Sequence, residues 1–254
     1  MADIFTNPNP EMYIPIELET KIPDIELRSF ERGLDLARAK LSLERRLIDD
    51  KSFEFKGVTG TQASLPVSDI DSSSRSNFIL ALRKLGFNLD ESTLSANYVA
   101  TGEPTGKKVR IRLRQDGDKC FLTVKFKTDR SKEMADQGIK QREEYDIQIN
   151  SIPDLEIFFT ELGYACAFQK QKYRTSYEVS IDGEAVKVEL NESPDPRVKP
   201  WLEIEGRTER SIRTTAELLG YNNTDFYNGS DNDLYRQAGL TPDELKSLKF
   251  PSKT

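Results

Sequence analysis

Polar and apolar residues alternate along a short stretch near the start of the chain and along most of its second half. Alternation of period two marks a strand with two unlike faces. In Ile16-Glu17-Leu18-Glu19-Thr20-Lys21-Ile22 it sets Glu17, Glu19 and Lys21 on one face and Ile16, Leu18, Thr20 and Ile22 on the other. The same pattern predicts strands over about Leu94–Thr101, Lys107–Gln115, Lys119–Thr128, Ile139–Ile149, Ala165–Arg174, Ser176–Ile181, Ala185–Leu190 and Trp201–Arg207. Asp116-Gly117 and Asp182-Gly183 are hairpin turns between them.

Helical spacing interrupts these strands. Leu27, Phe30, Leu34, Ala37 and Leu41 recur three and four apart, which predicts a long helix opening at Asp24 and fading near Asp49-Asp50. Lys51 to Ser74 is rich in Ser, Thr and Gly and reads as loop, so residues 24–74 form a helical and irregular insert. Further helices run from Ser74 to Gly86, from Ser151 to Gly163 and from Ser211 to Gly220, each stopped by its glycine. Lys132 to Gly138 reads as a charged loop. The expected organisation is a tail over 1–12, one domain over 13–221 that contains the insert, and a polar, partly helical tail over 222–254.

The charged faces repeat from strand to strand. Arg110, Arg112 and Arg114 share a face, as do Lys125 and Lys127; Arg142, Glu144, Asp146 and Gln148; Lys170, Lys172 and Arg174; and Glu203 and Glu205. An open antiparallel sheet with its polar side in water accounts for any one strand. Taken together, about eight such strands are enough to close a barrel, and helices that need an apolar sheet face would then cover its outside. The charged side becomes the lumen, which must hold water, metal and an anion, because a dry interior would cost several kcal/mol per ion.

Composition narrows the chemistry. The chain of 254 residues carries 37 Lys and Arg against 43 Asp and Glu, a net charge of −6, which argues against a general nucleic-acid binder. It has no histidine. Ser-His-Asp and Cys-His catalysis and His-based zinc sites are thereby excluded, and a metal must be held by carboxylates, which suits Mg²⁺ or Mn²⁺. Two cysteines with no zinc spacing, a start without a secretion signal and no apolar run of membrane length lead to the expectation of a cytoplasmic protein with no membrane partner.

Glu17-Leu18-Glu19-Thr20-Lys21 resembles the E-x-E-x-K motif of the CYTH, or triphosphate tunnel metalloenzyme, superfamily. Arg110-Ile111-Arg112 is similar to its R-x-R strand, Leu122-Thr123-Val124-Lys125 to L-T-x-K and Arg142-Glu143-Glu144-Tyr145-Asp146 to R-x-E-x-E. Lys172-Tyr173-Arg174 with Tyr177 resembles K-x-R-x-x-Y, and Trp201-Leu202-Glu203-Ile204-Glu205-Gly206 resembles the closing F-x-E-I-E-G. The resemblance implies an α+β fold: an eight-stranded antiparallel β-barrel, the triphosphate tunnel, with helices packed outside. It also implies that Glu17, Glu19, Glu203 and Glu205 hold Mg²⁺ or Mn²⁺, with Glu144 and Asp146 as a second metal site. Arg110, Arg112, Lys125, Lys172 and Arg174 would bind the triphosphate, and Lys21 would act at the reacting phosphate.

Three functions are compatible with that site: hydrolysis of an inorganic, nucleoside or other organic triphosphate; an adenylyl cyclase of class IV type; and a non-catalytic polyphosphate or nucleotide binder. The partner is a small triphosphate, and a homodimer is admitted. One position departs from the family pattern. Asn191, in Leu190-Asn191-Glu192, stands where the family carries Asp, unless Glu189 on the same strand face supplies the carboxylate.

Overall fold

The structure, a computed structural model, describes residues 16–57, 61–90, 97–102, 104, 109–128 and 131–251. In chain order its first half comprises β1 (Ile16–Ile22), α1 (Leu27–Leu36), β2 (Lys40–Phe55), β3 (Thr61–Pro66), α2 (Arg75–Leu85), β4 (Phe87–Asp90), β5 (Asn97–Gly102), β6 (Val109–Asp116) and β7 (Lys119–Lys127). There follow α3 (Ser131–Asp136), β8 (Lys140–Ile149), α4 (Ile152–Glu161), β9 (Tyr164–Ile181), β10 (Glu184–Glu192), β11 (Trp201–Gly206), α5 (Glu209–Leu218), α6 (Asp231–Gln237) and β12 (Ser247–Leu248). The tail expected over 1–12 lies outside the described residues.

Eight strands close on themselves in the order β10-β11-β1-β8-β7-β6-β2-β9, with β9 pairing back onto β10 and every pairing antiparallel. Closure leaves no exposed edge along the shared length of the wall. The short β12 adds in parallel to β9, and β3, β5 and β4 form a separate three-stranded sheet.

Apolar residues face out, as the alternation requires. Ile111, Leu113, Leu122, Val124 and Ile147 from β6–β8 are buried under α2, α4 and the small sheet, in one core with Phe78, Leu82, Phe158 and Phe159. Leu18, Ile22, Val186, Val188, Leu202 and Ile204 form a second core with Phe30, Ile212, Ala216 and Leu219 of the α1–α5 side. Each such side chain contributes about 1.5–3 kcal/mol. These two shells offset the cost of a charged interior. Gly33 lets α1 approach this closely, since a Cβ there would lie 2.5 Å from the Leu219 carbonyl oxygen.

Four expectations are overturned. The long helix from Asp24 to Asp49 is the ten-residue α1, capped by Glu26, which accepts the Ser29 N–H at 2.8 Å. The chain then reverses through Arg38 at φ 52° and enters β2, a wall strand that pairs with both β6 and β9. An arginine in the left-handed region gives no sequence mark of a helix stop, whereas glycine does. Lys40–Phe55 is therefore part of the barrel wall and not of an insert. Likewise, the strand expected over Leu94–Thr101 lies, where described, in the small sheet rather than the barrel, and Ser131–Asp136 is a short helix where a loop is expected. The two strands expected over Ala165–Ile181 are one, β9.

The segment after α5 is packed rather than trailing. Leu234, Tyr235, Leu240, Leu245 and Leu248 are buried with Val198 and Trp201, and Tyr227 exchanges backbone hydrogen bonds with Lys21 at 2.8 and 3.2 Å.

Candidate active site

The barrel encloses a cavity of about 700 Å³. Glu17, Glu19, Lys21, Arg110, Arg112, Lys125, Glu144, Asp146, Lys172, Arg174, Glu203 and Glu205, every site residue expected from the sequence, line it together. Arg114 and Lys127 join them, while Lys170 lines an adjoining side cavity of about 310 Å³ that shares Arg110, Arg112 and Lys172 with the tunnel.

Strand register creates an acidic wall. Glu19 lies opposite Glu205 across β1–β11, and Glu189 opposite Glu203 across β10–β11. Carboxylate oxygens of Glu17, Glu19 and Glu205 fall within 4.8 Å of one another, as do those of Glu189, Glu203 and Glu205. All-oxygen donors at that spacing suit a hard divalent cation, whose opposite ligands lie about 4–5 Å apart. Burial pushes Glu205 up to about 7, and the neighbouring Glu189, Glu17 and Glu19 carboxylates add to the rise. Glu144 and Asp146 belong to neither triad among the described residues. Glu144 pairs with Lys125, and Asp146 accepts from Thr123 Oγ1 at 2.7 Å.

Lys21 is 3% exposed and sits among acids. Its Nζ lies 2.9 Å from Glu19, 2.5 Å from Glu203 and 3.2 Å from Asp231. Burial works against the ammonium, but Asp231, Glu19 and Glu203 together raise its pKa well above the usual lysine range. Lys21 is therefore held in its charged form.

The opposite wall is basic. Arg174 spends its donors within the protein, on Glu203 at 2.7 Å, Asn191 at 2.9 Å and Glu189. Arg114 is engaged by both oxygens of Asp50, at 2.7 and 3.0 Å. Arg112 differs: Nη2 donates to Thr123 at 3.2 Å, but its buried Nε has no hydrogen-bond partner. Arg110 is exposed and lines both cavities. Lys125 contacts Glu17 at 2.8 Å.

Asn191 and Glu189 take different places in the site. Asn191 is fully buried as a neutral acceptor for Arg174, and Glu189, 1% exposed, places its carboxylate in the acidic wall. Two further acids lie outside the motifs: Asp50 on β2, within the span whose spacing predicts a helix, and Asp231 on α6, in the segment expected as a tail.

The model of the CYTH domain family matches residues 73–223, more than half of the chain. Among solved structures, a putative adenylate cyclase from Vibrio parahaemolyticus is similar at 11% identity and TM-score 0.54, covering 87% of this chain and 98% of that one. A conserved hypothetical protein from Pyrococcus furiosus matches at 17% identity and TM-score 0.52, covering 86% of this chain and 99% of that one. A protein from Pyrococcus horikoshii matches at 17% identity and TM-score 0.52, covering 86% and 98%. These likenesses agree with the closed antiparallel barrel. No curated protein matches the chain. No helix among the described residues is long and apolar enough to cross a membrane.

Proposed function

The chain belongs to the CYTH domain family, and on that premise we propose that it is a metal-dependent triphosphatase acting inside the barrel. One observation carries the reading: a wall of clustered carboxylates faces a wall of arginine and lysine across a single 700 Å³ cavity. Oxygen donors for a cation beside ammonium and guanidinium donors for an anion suit a phosphate chain bound together with a divalent ion.

Glu17, Glu19, Glu189, Glu203 and Glu205 would hold Mg²⁺ or Mn²⁺, with Arg174 fixing the orientation of Glu189 and Glu203. When bound, the ion neutralises charge on the phosphate oxygens and on the leaving group. A second ion at Glu144 and Asp146 would require Lys125 and Thr123 to release them. Arg112, with a donor unspent, Arg110, Lys125 and Lys172 grip the phosphates. Water attacks the terminal phosphorus in line and passes a proton to a phosphate oxygen, while the bond to the bridging oxygen breaks and that oxygen departs with the diphosphate. Lys21 stays protonated throughout and stabilises the charge developing on phosphate oxygens.

Incubation with inorganic triphosphate and with ATP, each with Mg²⁺ or Mn²⁺, tests the assignment. Release of orthophosphate is expected. Diphosphate with cyclic AMP would make it a cyclase instead, and binding without turnover would make it a carrier of polyphosphate or nucleotide.

A further inference from the structure

Lys21 and Lys172 are the buried lysines among the described residues, at 3% and 5% exposure. Both meet Glu203, and both also meet Asp231. Asp231 Oδ1 lies 3.2 Å from Lys21 Nζ, and its Oδ2 lies 3.3 Å from Lys172 Nζ. One carboxylate thus spans two ammonium groups with its two oxygens. Two oxygens of a single phosphoryl group would make the same pair of contacts.

Helix α6 does not need this charge. Its cap is built by Ser230 and Asp233, whose Oδ2 accepts the Ser230 N–H at 2.7 Å and the Ser230 hydroxyl at 2.6 Å. Nor is Asp231 sealed in: its side chain is 32% exposed and lines both the tunnel and the side cavity. An acid that the helix cap does not use, placed on two cations of a phosphate-binding wall, has its consequence at the ligand.

We propose that Asp231 is an internal competitor for the phosphate chain and sets the affinity of the tunnel. In the free protein its carboxylate occupies Lys21 and Lys172. A phosphate must displace it from both before those ammonium groups bind substrate. The inference rests on the reading of the tunnel as a phosphate site. It adds a determinant of affinity that lies beyond the family-matching residues, on α6.

Titration calorimetry with tripolyphosphate, in chelator and without added metal, reads binding apart from turnover. If Asp231 holds the lysines in about nine molecules of ten, Asp231→Asn binds about tenfold more tightly than the natural protein. Asp231→Ser gives the same gain, since it removes the carboxylate while the Ser230–Asp233 cap of α6 stays in place. Asp118→Asn, which removes one charge from the exposed β6–β7 turn, changes nothing and so separates a local effect from net charge. Unchanged or weaker binding by folded Asp231→Asn and Asp231→Ser overturns the proposal while leaving the phosphate site intact. Absence of tripolyphosphate binding by the natural protein and all variants, repeated with Mg²⁺ present, removes the phosphate reading and the competitor with it.

Discussion

The acidic and basic walls of the tunnel meet burial in opposite ways. On the acidic wall, like charges are set side by side by register, Glu19 against Glu205 and Glu189 against Glu203. Lys187 reaches Glu205 at 3.2 Å, yet Glu205 is still driven up to about 7 by burial and by its acidic neighbours. On the basic wall, most cations are already matched: Arg114 by Asp50, Lys125 by Glu17 and Glu144, Lys172 by Glu203 and Asp231. On the acidic wall Glu19, Glu189 and Glu203 are paired with Lys21, Lys140, Lys187 and Arg174, and Glu205 is the acid pushed toward its neutral form until a cation arrives. The basic wall is held in place by internal anions and must exchange some of them for ligand. Substitutions on the two walls should therefore fail differently.

The largest effect belongs to the acidic wall. Glu19→Ala opens the Glu17–Glu19–Glu205 triad and leaves Lys21 and Lys140 without a shared partner. Triphosphate hydrolysis should fall by about 10²–10³-fold in kcat, measured by orthophosphate release, with the circular dichroism spectrum retained. Hydrolysis at the natural rate would remove Glu19 from the metal set. On the basic wall, Arg112→Ala removes the guanidinium with a free buried donor. A charge-assisted hydrogen bond contributes about 1.5–3 kcal/mol, so KM should rise about 10–100-fold while metal affinity, read by calorimetry, is kept. Loss of metal binding in that variant would show the walls to be one unit.

The same contrast explains what was legible in the sequence. Alternating charge names the inward face of a strand whatever its neighbours do, so β1, β6, β7, β8 and β11 and their site residues could be read directly. Lumen residues on β2 could not. Leu34, Ala37 and Leu41 mimic helical spacing across a turn made by Arg38, and Asp50 stays hidden behind it. Asp231 has no alternating partner at all, because it enters the tunnel from the start of a helix whose own hydrophobic contacts lie with Trp201. Pairing is invisible as well. Arg112 and Arg174 stand in equivalent motifs, but only register and packing decide that Arg174 is held closely by two carboxylates while Arg112 meets Glu144 at 3.8 Å and keeps its Nε unpartnered.

Acidity probes the acidic wall more gently. In the metal-free tunnel Glu205 keeps its proton below about pH 7, and a bound cation must expel it. Metal affinity should therefore fall as pH drops below 7, by about tenfold per unit for one proton, and level off above it. Calorimetry at pH 6 and pH 8, in buffers of different ionisation enthalpy, reads both the affinity and the proton released. Glu205→Gln should flatten the profile. A slope unchanged in that variant would assign the proton to another group.

The smallest effect concerns Asn191, and it separates placement of charge from identity of motif. If the acidic wall needs a carboxylate from β10, Glu189 already supplies it, at 1% exposure and beside Glu203. Asn191→Asp then adds a charge that meets Arg174 Nε, the donor Asn191 now accepts at 2.9 Å. The new pair and its added repulsion toward Glu189 oppose each other, so kcat should stay within about threefold, since interactions of this kind partly cancel on burial. Glu189→Gln removes a charge that nothing else on β10 replaces, and its kcat should fall well beyond that of Asn191→Asp. In the double variant, Asp at 191 faces Arg174 rather than the triad, so it should restore little. Recovery of the natural rate by the double variant would mean that the wall counts carboxylates on the strand and is indifferent to which position carries them.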